Sequence, residues 1–165
     1  MIYSIFKTRW GWFGLLGNEK GLVGACLPLD AREDVVSYLL KDGCQSARPI
    51  KTFGQSQERV AAYFEGQCVD FSDVAVDLSG FEPFELAVLL TLRGIPYGQT
   101  SDYTDLAIRS SRPRAVRAVA NAVGKNPLPL IIPCHRVLRK DGSLGGFSAP
   151  GGIHTKKRLL DWETR

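Results

Sequence analysis

The sequence contains no Cys-x-x-Cys pair, and its four cysteines, Cys26, Cys44, Cys68 and Cys134, stand far apart. That spacing argues against a zinc ribbon and offers no disulfide framework, which points to a reducing compartment such as the cytoplasm. Histidine is equally scarce. His135 and His154 are the only two, residues 1–91 hold none, and no ligand pair at a customary metal spacing results. No apolar run is long enough to cross a bilayer. The apolar start from Met1 to Leu16 is broken by Lys7 and Arg9 and leads to no small-residue cleavage site, which argues against a signal peptide. Internal repeats and low-complexity tracts are missing as well, so the parts of the chain should pack together rather than hang on tethers.

What is present fits a globular protein of 165 residues, enough for one compact domain or two small ones without covalent staples. The net charge of +4 is unevenly spread. Residues 1–91 carry 8 Lys/Arg against 12 Asp/Glu, residues 92–140 carry 9 against 2, and residues 141–165 carry 4 against 3. A basic stretch beside an acidic one is a weak footprint of a polyanion such as nucleic acid, with a solvated face as the plainer alternative.

Residues 2–29 read as an antiparallel meander: Ile2 to Lys7, Trp10 to Leu16, a turn from Gly17 to Gly21, and Leu22 to Leu27. Asp30 with Glu33 resembles a capping box opening a helix that runs to about Leu40 and stops at Gly43. A short helix is expected over residues 55–65 and a loose strand from Val69 to Val76. Beyond Glu82, the apolar run containing Phe84, Val88, Leu89 and Leu92 has helical spacing and ends at Gly94 and Pro96. The predicted boundary lies near residues 77–83, dividing a structural amino-terminal part, 1–80, from a carboxy-terminal part, 81–165. In the latter, helices over about Ser101 to Arg109 and about Arg112 to Val123 flank Ser110-Ser111 in the layout of a helix-turn-helix. A serine cap followed by Pro113 suits the start of the second. Val116, Val119, Ala120 and Val123 form one face of it; Arg114, Arg117, Ala118 and Asn121 form another, suited either to nucleic acid or to plain solvent. The fold class is therefore α+β, a strand-rich amino-terminal domain with an antiparallel sheet and helix, packed on a mostly helical carboxy-terminal domain.

Residues 126–137 read Asn-Pro-Leu-Pro-Leu-Ile-Ile-Pro-Cys-His-Arg-Val. Three prolines preclude a regular helix and predict a rigid extended wall ending at Cys134. A cysteine after three apolar residues can be mere filler. His135 as base or relay, Arg136 as a positive charge favouring thiolate, and Asn126 as an amide that orders the loop point instead to reactivity. Neighbours in an extended segment face opposite ways, so a bridging water should link His135 to Cys134. Glu163, at the end of a helix begun after Gly151-Gly152, is a candidate to orient the imidazole, against the reading of a solvated helix-end charge. A papain-like pairing would need His154, which lies in a glycine-rich turn without a nucleophile motif.

Pro133-Cys134-His135-Arg136-Val137, with Asn126-Pro127 before it and Gly145-Gly146-Phe147-Ser148 and Gly151-Gly152 after it, resembles the active-site signature of the O6-alkylguanine-DNA alkyltransferases. The likeness covers residues 82–165 strongly and the first 80 only in length and strand content. It implies direct-reversal repair in which Cys134 accepts an alkyl group from O6-alkylguanine, with O4-alkylthymine as a further substrate, in double-stranded DNA. It implies further that His135 and Glu163 deprotonate Cys134 through a water, that Tyr103 donates a proton to the leaving guanine, and that Asn126 organises the turn. Arg117 would enter the base stack as the nucleotide flips out, with Arg114, Asn121 and Arg136 facing DNA. Val123, Val137 and Ser148 would line the pocket. No metal, cofactor, membrane or obligate protein partner is expected, and the chain should act as a monomer. The family loop often runs Gly-Tyr-Ser-Gly-Gly, whereas Phe147 replaces the tyrosine here and Ala149-Pro150 are inserted. A related group of non-catalytic sensors carries tryptophan at the cysteine position; Cys134 argues against that class.

Overall fold

Three strands come first, β1 (Ile2–Thr8), β2 (Gly11–Asn18) and β3 (Gly21–Leu29), paired antiparallel in chain order as the meander predicts. The structure, a computed structural model, describes residues 1–41 and 46–165, so the expected helix stop at Gly43 lies outside the described residues. The β2–β3 turn is closed by Asn18, whose Oδ1 accepts from the amides of Lys20 and Gly21 at 2.8 and 3.2 Å. A two-residue strand, β4 (Arg48–Pro49), adds to β1 in parallel, which sequence reasoning missed because two residues carry no period.

Helices cover both faces of β2, which is why its sequence is apolar almost throughout rather than alternating. On one face α1 (Arg32–Leu39) sets Val35 and Leu39 against Leu16 and Cys26. Gly14 permits this approach, since a Cβ there would lie 2.5 Å from side-chain carbons of both Val35 and Leu39. On the other face α2 (Gln55–Phe64) brings Phe64 to within 5.9 Å of Phe13 and 5.2 Å of Trp10, ring centre to ring centre. Two expectations fail in this unit. Ala31, not Asp30, is the N-cap of α1 and no side chain caps it, so the capping box does not form. Residues 69–76 make only an isolated bridge, Leu22 with Val76, because Asp70 folds its carboxylate onto the Ser72 amide and hydroxyl and turns the chain.

The chain divides into two compact units, Met1–Asp77 and Leu78–Arg165. In the second, α3 (Pro83–Arg93) opens on Glu82 with Pro83 in its first turn and closes at Gly94. It packs with α4 (Tyr103–Arg109) and α5 (Val116–Gly124) around Leu89, Leu92, Leu106, Val119 and Ala122. Asp102 caps α4 by accepting from the amides of Thr104 and Asp105 at 2.7 and 2.9 Å. The helix-turn-helix is thus formed, but α5 starts four residues later than expected. Ser111 has φ of 59°, and Pro113 serves a tight turn in which Ala115 N–H donates to Arg112 at 2.9 Å. Two short strands, β5 (Ser101–Asp102) and β6 (Val137–Leu138), pair in parallel. The last helix, α6 (Gly152–Glu163), packs on a one-turn 3-10 helix, Cys134–Arg136. Among the described residues no helix is long and apolar enough to cross a membrane.

Candidate active site

The β5–β6 pair decides which residues meet. Ser101 opposite Val137 and Asp102 opposite Leu138 fix the start of α4, and so Tyr103, beside the segment that follows Cys134. Tyr103 and Cys134 both border a cavity of about 750 Å³ within the second unit. One wall is α5, through Val116, Arg117, Ala120, Asn121 and Val123; the opposite wall is the loop Gly145 to Ser148, with Arg139 at its side. The loop is tied to α5 by the Ser148 hydroxyl, which donates to Gly124 at 2.8 Å. Gly145 is a close-approach position, since a Cβ there would fall 2.6 Å from the Tyr103 hydroxyl.

Cys134 does not end an extended wall. Pro133, with φ of −80° and ψ of 64°, forms an inverse γ-turn in which Cys134 N–H donates to Ile132 at 2.8 Å. Proline's fixed φ suits that turn, and Arg136 N–H then donates to Pro133 at 3.0 Å to make the 3-10 turn. Cys134 and His135 therefore sit within one helical turn rather than on opposite sides of a strand. Asn126 braces the approach: its Nδ2 donates to the Ile132 carbonyl at 2.8 Å and its Oδ1 accepts from Leu128 N–H at 3.1 Å. Leu130 inside this loop takes a φ of 78°, a strained value for a branched residue, held by its burial.

Behind the cysteine lies a buried acid–base network. His135 is wholly buried, and its Nε2 lies 2.7 Å from Glu163 Oε1. Arg136 donates from Nε to Glu163 Oε2 at 2.9 Å, from Nη2 to Oε1 at 3.0 Å, and from Nη1 to the Ile95 carbonyl at 2.6 Å. Gly98 N–H donates to Oε2 as well. Burial alone would raise the Glu163 carboxyl, but hydrogen bonds and charges from His135 and Arg136 outweigh it and hold it at about 2. Burial pushes the His135 imidazole down, against the pull of Glu163, so the ring is neutral near pH 7. An ionised Glu163 can only accept, so the His135 proton sits on Nε2 and Nδ1 keeps its lone pair. Nδ1 is buried and has no hydrogen-bond partner among the described residues.

Cys134, 5% exposed, is pushed up from the ordinary thiol value by burial, partly offset by an Asn126 hydrogen bond, the Lys156 charge and backbone hydrogen bonds. Tyr103 is pushed up by burial and by the sulfur's charge, with Arg139 opposing, so its phenol keeps its proton at neutral pH. The arrangement is a thiol at the floor of a cavity, a neutral base held by an ionised carboxylate behind it, and a phenol donor at the wall. It suits attack by sulfur on a group whose departure is eased by a proton.

The residues singled out from sequence divide into those brought together and those not. Cys134, Tyr103, Arg117, Asn121, Val123 and Ser148 border the cavity, and His135, Glu163 and Asn126 support the cysteine. Arg114 is exposed in the turn before α5, away from the cavity lining. Two assignments are corrected. Arg136 is buried with its guanidinium committed to Glu163 and Ile95, which leaves it neither for DNA nor as the charge favouring thiolate. Val137 is wholly buried outside the cavity lining, its carbonyl accepting from Lys156 Nζ at 2.7 Å. Sequence reasoning missed Lys156, Arg139 and the Gly98 amide. Lys156 shares a helix face with Glu163, seven residues on, but that spacing alone does not separate it from its charged neighbours Lys157 and Arg158.

Comparison with known proteins bears on the same region. A family model described as the DNA binding domain of 6-O-methylguanine DNA methyltransferase matches residues 83–165. The methylated-DNA–protein-cysteine methyltransferase of Haemophilus influenzae is 46% identical over 101 residues, 61% of this chain and 55% of that protein, so the match spans about half the length of that relative. The namesake from Methanosarcina barkeri is 35% identical over 164 residues, 99% of this chain and 97% of that one. The Mycobacterium tuberculosis OGT crystal structure in complex with DNA superposes with a TM-score of 0.82 at 32% identity, covering 99% of this chain and 93% of that one. The O6-methylguanine-DNA methyltransferase of Pyrococcus kodakaraensis gives 0.77 at 27%, covering 99% and 100%.

Proposed function

The chain belongs to the O6-methylguanine DNA methyltransferase family, and on that premise we propose that it repairs alkylated DNA by direct reversal, moving an alkyl group from O6 of guanine in duplex DNA to Cys134, once per chain. The observation that carries the reading is the cavity: one wall is the second helix of the helix-turn-helix, and its floor is a cysteine backed by the His135–Glu163 pair. A damaged nucleotide turned out of the stack would enter between α5 and the Gly145–Ser148 loop, with Arg117 filling the space it leaves and Arg114 and Asn121 on the DNA side. The small Ala120 lets the base lie close to α5, and Val123 and Ser148 bound the pocket.

The transfer balances without a cofactor. His135 Nδ1 accepts the thiol proton, through a water or directly; Cys134 sulfur attacks the alkyl carbon; the carbon–O6 bond breaks as Tyr103 gives its proton to the guanine; and the proton on His135 makes good the one Tyr103 lost. Residues 81–165 carry these steps and residues 1–80 are structural. The protein works as a monomer in the cytoplasm, where its thiols stay reduced and its DNA is at hand, and O4-alkylthymine is a second substrate of the same geometry.

Intact-mass measurement after incubation with duplex DNA bearing O6-methylguanine tests this. A gain of about 14 Da on the Cys134 peptide is expected, a methyl replacing a hydrogen. Tight binding with no mass gain would mark a sensor of alkylated bases, and repeated ester or amide turnover without DNA a hydrolase.

A further inference from the structure

Lys156 is fully buried, yet among the described residues no carboxylate pairs with it. Its Nζ donates to the Val137 carbonyl at 2.7 Å. An ammonium withdrawn from water is costly unless a counter-charge lies near. Two charges bear on it: Cys134, whose ionised form favours the cation, and Arg139, which opposes it. The influence is mutual, since the Lys156 charge favours the ionised form of Cys134. Of the other groups around the sulfur, Asn126 and Tyr103 are neutral, the His135 ring is neutral until it takes the thiol proton, Arg136 is committed to Glu163, and Arg139 borders the same cavity from the side of Tyr103. α6 packs on the cysteine turn, and Lys156 and Glu163 lie on one face of it about 10 Å apart, two turns of helix. One helix thus carries both the carboxylate that orients the base and an unpaired ammonium.

We infer that Lys156 is the counter-charge of the Cys134 thiolate, a positioning residue that α6 holds against the cysteine turn so that the sulfur can ionise inside an apolar wall. This rests on the alkyl-acceptor reading of Cys134. When the sulfur–carbon bond forms and the carbon–O6 bond breaks, the sulfur's negative charge leaves with the guanine oxygen and is quenched by the Tyr103 proton. The thioether is neutral, and Lys156 remains as a buried cation with no counter-charge, held only by the Val137 carbonyl.

The test reads Cys134 with no DNA present. Full-length protein is treated with iodoacetamide from about pH 5 to about pH 10, and modification of the Cys134 peptide is followed by mass. Lys156→Met should move the midpoint up by about one pH unit, roughly a tenfold loss of thiolate at neutral pH. Lys156→Gln, which keeps an N–H for the Val137 carbonyl but no charge, should shift it as far, while Lys156→Arg should recover most of the wild-type profile. A glutamine variant with the wild-type midpoint would reduce Lys156 to a hydrogen-bond strut and overturn the inference; if the methionine variant does not fold, the glutamine and arginine pair decides alone. Because no alkylated base is used, a wild-type protein that shows this dependence but gains no methyl from DNA would sink the repair reading and leave the counter-charge standing.

Discussion

At Tyr103 a single oxygen carries the proposed proton donation. Tyr103→Phe should slow alkyl transfer by about a hundredfold to ten-thousandfold, the usual worth of a general acid, with DNA affinity nearly unchanged. Single-turnover rates beside a binding isotherm check it, and a loss below about threefold would assign the ring to packing. Glu163 answers to pH. Its folded value of about 2 lies below the ordinary 4.5, so its contribution is present above pH 4.5 and lost as pH falls toward 2. That contribution is about 3 kcal/mol from the shift. His135, also depressed, acts in the same direction, since the unfolded chain takes up a proton below about pH 6.5 that the folded ring resists. Denaturant melts from pH 7 to 3 should therefore show stability falling throughout, and Glu163→Gln should remove the lower part of that slope. The variant should also lose about 3–5 kcal/mol at pH 7 because Arg136 is left buried without its partner. Glu163 could be named from sequence as a candidate to orient the imidazole, and the family signature gave it the relay role. Lys156 could not, because Lys156-Lys157-Arg158 reads as a solvated run, and only the docking of α6 on the cysteine turn buries its first member.

Among the elements, α5 is where the helix-turn-helix reading meets DNA. Arg117→Ala should weaken repair of duplex much more than reaction with the free alkylated base, since filling the stack matters only where stacking is broken. Equal losses on both substrates would remove that role. The long helices were legible because their apolar residues repeat at helical spacing, as in Val88, Leu89 and Leu92 on α3. The start of α5 was not, because Pro113 fits a tight turn as well as a first helical turn, and the left-handed Ser111 before it leaves no sign in the sequence. The cysteine segment misled for a related reason. Prolines announce the absence of an α-helix, but Pro133 builds a γ-turn into a 3-10 turn, and that difference of one hydrogen bond puts Cys134 and His135 on one helical turn instead of an extended strand.

For the molecule as a whole, the proposed chemistry makes the protein a reagent. A thioether has no electrophilic carbonyl for water to attack, so product should plateau in proportion to active protein over a tenfold excess of substrate, on the order of one lesion per chain. Product counted against protein, with Cys134→Ser as the inactive control, checks this; sustained turnover would sink the mechanism. A molecule that acts once has a shelf life, set by everything else its sulfur might react with beforehand. Cys134 is buried and its thiol is held up from its ordinary value, whereas Cys68 is exposed. Peroxide and small electrophiles should therefore meet Cys68 before Cys134, and the repair sulfur is kept for the one carbon delivered into its cavity.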